Sequence, residues 1–268
     1  GIPQSQVERL LRLPSVRWVH TVTASIDHAL AALPDAHEVR LTNARGVFDV
    51  PIAEMVMAYI LSAVKRLPDF RAQQTDHTWS LLRLRELRGL TLGIVGLGSI
   101  GKEIAKRARA LGMRVMATRR HPEKPTDFVN EVLGSEDLHI LLEAAHFVVI
   151  AAPLTEETRG MIGEAQLRRM RDEAWLINIA RGEIVDQPVL IRALEEGWIA
   201  GAALDVFEEE PLPSDSPLWD MPNVVVTPHN SWSTPYLKQR EAALFLDNLE
   251  RYLRDAPLRN VIDPARGY

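Results

Sequence analysis

The chain has 268 residues, 46% of them hydrophobic and 25% charged, which suits a globular protein with a sizeable core. A net charge of −5 gives no electrostatic grip on nucleic acid or an anionic membrane, and no apolar run is long enough to span a bilayer. The absence of cysteine excludes disulfides, thiol catalysis and cysteine-ligated metals, and fits a reducing cytoplasm.

In chain order, residues 4–13 read as a helix, followed by a strand "VRWVH" (16–20) and a short strand "EVRLT" (38–42). A helix from about Ala53 to Arg66 leads onward. Six short β-rich runs come next: 92–96, 114–118, 147–152, 175–180, 201–206 and 223–228. Continuous apolar runs of this length suit strands buried on both faces of a parallel sheet. Between them lie helices. Ile100, Ile104, Ala108 and Leu111 form one apolar stripe that Gly112 ends. Asp186 is placed to cap a second helix, with Leu190, Ala193 and Leu194 inward and Gly197 at its end. A last amphipathic helix has Pro235 near its first turn and a stripe of Leu237, Leu244, Phe245, Leu249 and Leu253. Alternating strand and helix predicts an α/β protein with a doubly wound parallel-sheet (Rossmann) domain over 51–230. A smaller, discontinuous domain is expected from 1–50 and 231–268, with a cleft between the two.

"GLGSIG" (96–101) follows a strand and opens a helix. In that context Gly96 permits the tight turn, Gly98 lets the backbone approach a pyrophosphate, and Gly101 lets helix and sheet pack closely. The amides at Ser99 and Ile100 lie at the helix N-terminus, where phosphate binds well. The next strand ends in Thr118, Arg119 and Arg120, with no carboxylate for a ribose 2′-hydroxyl. Arginine forks suit a 2′-phosphate, so NADP is favoured over NAD, although the pair could simply solvate a loop. Ligands of open parallel sheets bind beyond the carboxyl ends of the strands. Arg181, Asp205 and His229 all fall there, and Glu210 sits five residues past Asp205.

"GLGSIG", "INIARGEIVD", "GAALDVFEEEPLP", "SPLW" and "NVVVTPH", with "TNARG" (42–46) and "PIAE" (51–54), occur in one order at one spacing. In this the chain resembles the D-isomer-specific 2-hydroxyacid dehydrogenase family over nearly its whole length. The resemblance implies a flavodoxin-like smaller domain, here lacking about fifty N-terminal residues relative to the family pattern. It implies an NAD(P)-dependent oxidoreductase for small 2-keto or 2-hydroxy acids, D-specific, with glyoxylate or hydroxypyruvate as the natural guess. It assigns substrate binding to Arg181, acid–base chemistry to His229, and the partner carboxylate to Glu210. Pro153, Leu154, Thr155 and Thr158 match a loop expected to line the adenosine side. Thr118, Ala180 and Asp205 join the expected cofactor set, Asp205 near the nicotinamide. Histidine can donate the proton that a reduced carbonyl oxygen needs, and a neighbouring carboxylate favours the imidazolium. The resemblance also implies a homodimer formed through the cofactor domain, with Trp79 and residues 59–90 as candidate contacts.

Two positions depart from the family pattern. Ala24 and Ser25 lie where backbone amides would take the substrate carboxylate, and Ser25 replaces a glycine. Trp232 follows the histidine, where it could wall the substrate pocket or pack at the hinge. His20 and His28 flank the carboxylate loop, and His146 is expected to cap or solvate a strand end. "LLRLRELR" (81–88) and "RRMR" (168–171) read as solvated helix faces. No His/Asp cluster of metal-binding spacing is evident, so no metal is expected. The competing reading is a non-enzymatic, corepressor-like protein that senses dinucleotides with the same fold. A formate or phosphite dehydrogenase relative is disfavoured by "TRR".

Overall fold

The computed structural model describes residues 13, 15–24, 39–123 and 126–262. The helix expected at 4–13, apart from residue 13, together with Ser25 and His28, lies outside them. The chain divides into two compact units, Gly1–Asp49 with Ser233–Tyr268 and Val50–Trp232.

The larger unit opens with α1 (Asp49–Val64) and α2 (Leu67–Thr75). Helix α1 starts four residues before the expected Ala53 and ends two before Arg66. Pro51 sits buried in its first turn, where a missing N–H costs nothing. Arg66 instead takes a left-handed conformation and precedes α2. No residue of α2 is buried, so apolar periodicity gave no sign of it. Residues 81–88 and 168–171, expected as helix faces, are instead irregular segments and turns.

Seven parallel strands follow: β3 (Thr91–Val95), β4 (Arg114–Thr118), β5 (Glu131–Leu133), β6 (Phe147–Ile150), β7 (Trp175–Asn178), β8 (Gly201–Leu204) and β9 (Val224–Val226). Their order is β5-β4-β3-β6-β7-β8-β9. The predicted doubly wound sheet is therefore present, with one more strand than expected. Strand β5 is a three-residue edge strand of half-buried residues, too short to announce itself. Every residue of β3 and β6 is buried, as a sheet covered on both faces requires. Each fully buried Ile, Leu or Val contributes about 1.5–3 kcal/mol.

The sheet is covered by α3 (Ser99–Ala110), α4 (Leu138–Ala144), α5 (Glu164–Leu167) and α6 (Gln187–Glu195). In α3, Ile104 and Ala108 are buried as expected, with Gly101 and Ala105. Leu111 falls past the helix end and is exposed, a correction to the predicted stripe. Gly112 follows at φ +81. Asp186 caps α6 by accepting from the Val189 amide at 3.1 Å, and Gly197 lies beyond at φ +70.

The smaller unit pairs β1 (Trp18–His20) in parallel with β2 (Arg40–Thr42) and contains α7 (Leu237–Leu253). Pro235 lies two residues before α7, near its first turn as expected. Of the expected stripe, Phe245 and Leu253 are exposed, although Phe245 stacks on Trp18 with ring centroids 5.6 Å apart. The buried side chain of α7 is Asn248, which bonds both the amide and the carbonyl of Arg259.

Candidate active site

The chain leaves β3 toward β4 on one side, then returns to β6 on the other. That reversal of direction beside β3 is where open α/β sheets bind ligands. Gly96 ends β3 at φ +98, and a Cβ there would lie 2.6 Å from the Ala152 nitrogen. A Cβ on Gly101 would meet the Gly96 carbonyl oxygen at 2.5 Å. One on Gly98 would meet nothing within 4 Å. The first turn of α3 thus opens on free space, and no side chain caps it. Thr118 is buried at the end of β4. Beside it, the Arg119 Nε is buried without a hydrogen-bond partner. Arg120 pairs with Glu157 at 2.8 Å. Glu157 belongs to the 153–158 loop, which the Thr158 hydroxyl braces by donating to the Pro153 carbonyl at 2.7 Å. The Thr155 amide in turn donates to the Thr158 hydroxyl at 2.8 Å.

Strands β7, β8 and β9 are neighbours, and each carries a singled-out residue just past its carboxyl end. After β7, Asn178 folds its side chain over the turn. It donates to the Arg181 carbonyl at 2.8 Å and accepts from the Ala180 amide at 3.1 Å. Arg181 bonds the Ala180 carbonyl through Nη1. Gly182 then lies against the Phe207–Glu208 peptide so closely that a Cβ would fall within the Phe207 carbonyl group. Gln187 and Glu208 exchange backbone-to-side-chain hydrogen bonds at 3.0 and 3.2 Å. The Arg181 loop and the Glu210 loop are therefore locked together.

Glu210 bridges two groups. Its Oε1 accepts from the Phe207 amide at 3.1 Å, and its Oε2 meets the His229 Nδ1 at 2.7 Å. An ionised carboxylate only accepts, so Nδ1 carries the proton and Nε2 is left to exchange one with a ligand. His229 itself is left-handed, at φ +49, and the Trp232 indole donates to its carbonyl at 2.7 Å.

Asp205 is completely buried. Its Oδ1 accepts from the Thr227 hydroxyl at 2.5 Å and the Asn230 amide at 2.9 Å, and its Oδ2 accepts from the Ser231 amide at 3.0 Å. The Asp205 carboxylate thus clamps the loop that carries His229. Ala24, in the other unit, accepts from the Asn43 side chain through its carbonyl at 2.7 Å.

Residues 57–231 match the family model of the D-isomer specific 2-hydroxyacid dehydrogenase NAD binding domain. The chain belongs to the D-isomer specific 2-hydroxyacid dehydrogenase family. It is similar to a glyoxylate reductase of Korarchaeum cryptofilum, 38% identical over 93% of this chain and 77% of that protein. It is equally similar to a glyoxylate/hydroxypyruvate reductase B of Citrobacter koseri, 38% identical over 95% and 80%. Among solved structures, a D-isomer specific 2-hydroxyacid dehydrogenase from Xanthobacter autotrophicus Py2, in complex with NADPH and MES, superposes with a TM-score of 0.88. It is 35% identical over 96% of this chain and 81% of that one. A reductase from Sinorhizobium meliloti, described as NADPH-dependent and acting on glyoxylate or hydroxypyruvate, gives 0.88 at 29% identity, over 98% and 83%.

As a 2-hydroxyacid dehydrogenase, the protein is a nicotinamide-dependent oxidoreductase of small 2-hydroxy and 2-keto acids, and the reading as a non-enzymatic sensor is not favoured. The residues at the dinucleotide end fit such a cofactor: an uncapped helix start open to space, a glycine turn that excludes side chains, and an unpartnered guanidinium nitrogen. Among the described residues, no group of three or more acids and histidines is placed to hold a metal, and no helix is long and apolar enough to cross a membrane. Sequence reasoning did not single out Asn178, Gly182, Thr227 or Tyr59, which bond or pack against the singled-out residues or their loops. Asn178 could have been noticed as the one amide inside an apolar strand. Tyr59 carries no local signal.

Proposed function

We propose that the chain is an NADPH-dependent reductase of small 2-keto acids, glyoxylate and hydroxypyruvate above all, giving the D-product where the carbon becomes chiral. The observation that carries this reading is the 2.7 Å pairing of His229 with Glu210 on the sheet edge that also bears Arg181. Gly96, Gly98, Ser99, Ile100 and Gly101 would hold the pyrophosphate, and Arg119 the 2′-phosphate. Arg120 is drawn toward Glu157 and supports this from the side. Pro153, Thr158, Thr118 and Ala180 border the same region. A bound NADPH supplies the hydride. His229 gives the carbonyl oxygen its proton through Nε2 while Glu210 holds Nδ1 and balances the imidazolium. Arg181 stays cationic, grips the substrate carboxylate and polarises the carbonyl oxygen. Amides at Ala24 and Ser25 are assigned to the same carboxylate by family resemblance. Asp205 keeps the His229 loop in place. The names of the reductases cited above support the substrate class, and the complexes with NADPH and NADP support the cofactor.

Two copies are proposed to pair through the cofactor unit, supported by the exposed apolar side chains Trp79 and Leu81 on an irregular segment. A cytoplasmic setting goes with this proposal, and a cysteine-free sequence is compatible with it. The test is a spectrophotometric screen of NADPH and NADH oxidation with glyoxylate, hydroxypyruvate, pyruvate and longer 2-keto acids. Turnover faster with NADPH is expected, and His229→Asn should lower kcat by about 10²–10⁴. Tight NADPH binding without turnover of any 2-keto acid would sink the proposal.

A further inference from the structure

Tyr59 sits on α1, far in sequence from every residue assigned to the chemistry, and is only 5% exposed. Its hydroxyl lies 2.6 Å from the Thr227 Oγ1. The direction of the bonds follows from valence. The Thr227 proton goes to Asp205, whose carboxylate can only accept, so the Tyr59 hydroxyl must donate to Thr227. The result is a one-way chain: Tyr59 to Thr227 to Asp205. Asp205 in turn receives the Asn230 and Ser231 amides, immediately after His229. Burial, opposed by the Thr227 hydrogen bond and reinforced by the Asp205 charge, pushes the Tyr59 phenol up to about 12, so it remains a donor across the working pH range. Packing alone would be satisfied by phenylalanine, and the hydroxyl has its use in Thr227.

We infer that Tyr59 is a positioning residue for the acid–base histidine, acting through Thr227 and Asp205 to hold the 227–231 loop. The inference rests on the assignment of the proton transfer to His229. The need for an anchor is visible in the loop. His229 occupies a left-handed conformation that an L-residue adopts at a cost, and a loop held so must be tied by its neighbours. Asp205 ties it from β8, the Trp232 indole ties its carbonyl, and Tyr59 extends the tie to α1. The chain passes between its two compact units at Asp49–Val50 and at Trp232–Ser233. The Tyr59 network therefore links the helix that begins at one crossing to the loop that ends at the other.

The test compares Tyr59→Phe, Thr227→Val and the double variant in steady-state reduction of glyoxylate by NADPH, in water and in deuterium oxide. Tyr59→Phe is expected to lower kcat about tenfold, as loosened positioning of a catalytic group does. The KM for NADPH should change less than about twofold, because the dinucleotide turn is untouched. The solvent isotope effect on kcat should rise, because proton delivery has become slower relative to hydride transfer. The double variant should lose no more than Thr227→Val alone, the signature of two groups acting through one path. A kcat for Tyr59→Phe within twofold of the parent, or fully additive losses in the double variant, overturns the inference. So does an unchanged isotope effect. His229→Asn separates the two levels: if it is inactive while Tyr59→Phe is fully active, only this inference fails, and if it is fully active, the acid–base reading itself fails.

Discussion

Gly182 sets how near the Arg181 loop can come to the loop that presents Glu210. The Phe207 carbonyl occupies the space a side chain would need. Because the obstacle is backbone, neither loop can yield without carrying a functional side chain with it. Gly182→Ala is therefore expected to destabilise the protein by about 1–3 kcal/mol, as overpacking does. It should also lower kcat/KM by about 100-fold or more, since small misplacements of binding groups are costly. Denaturant melts and kinetics on the same preparation check both, and a variant with normal kcat/KM would show that the loops need not touch. At the same scale the two arginines after β4 part company. Arg120 is engaged by Glu157, whereas Arg119 keeps a buried nitrogen without a partner. The sequence offered both equally; only the fold shows which one Glu157 engages.

Among the elements, the start of β6 is joined to that of β3 by an imidazole. His146 Nδ1 accepts the Thr91 amide at 3.1 Å, and its Nε2 lies 3.5 Å from Glu173. This is the strand-end cap expected from the sequence. Burial above all, then the nearby Arg171 and Arg85, hold the His146 pKa below its ordinary value, while Glu173 opposes them. Burial depresses His20 on β1 in the same way. A folded-state pKa below the unfolded one means that the unfolded chain binds the proton more readily. The stability these groups confer is full above about pH 6.5 and is lost as pH falls through that value toward the folded pKa. The urea midpoint is expected to drop between about pH 7.5 and pH 5.5, and His146→Gln should shrink that drop. An unchanged drop in the variant would remove His146 from the account. The larger elements were legible because β3, β4, β6, β7 and β8 are apolar runs set off by glycines and amphipathic helices. Of the elements that escaped, α2 and β5 bury nothing fully, so hydrophobic patterning had nothing to register, while α4 and α5 are seven and four residues long, too short to show a helical period.

For the molecule as a whole, the most conspicuous apolar exposure is in the segment between α2 and β3. Trp79 is 99% exposed and Leu81 95%. Side chains of this size are seldom left in water without a partner, and a second copy is the proposed one. Sedimentation should find a species of twice the 30.1 kDa chain mass. Trp79→Ala combined with Leu81→Ala should weaken association by about 2 kcal/mol or more, roughly a 30-fold rise in the dimer Kd. A dimer of undiminished strength would place the interface elsewhere. The arrangement proposed for the chemistry was readable in outline at this scale too, since Arg181, Glu210 and His229 each follow a recognisable strand. What holds them was not. The hydroxyl of Tyr59 meets Thr227 across 168 positions of sequence, and no local pattern reports a contact that only the completed sheet creates.

His229 combines a side chain proposed for proton transfer with a backbone conformation that suits glycine far better. Selection for folding alone would replace it, and selection for turnover alone would keep it. The loop is thus a point where the two pressures oppose each other, and the ties from Asp205, Trp232 and Tyr59 are what let the chain carry the less comfortable residue. Homologous chains that abandon the chemistry should be free to relax this turn first, with a gain in stability as the trace of the lost activity.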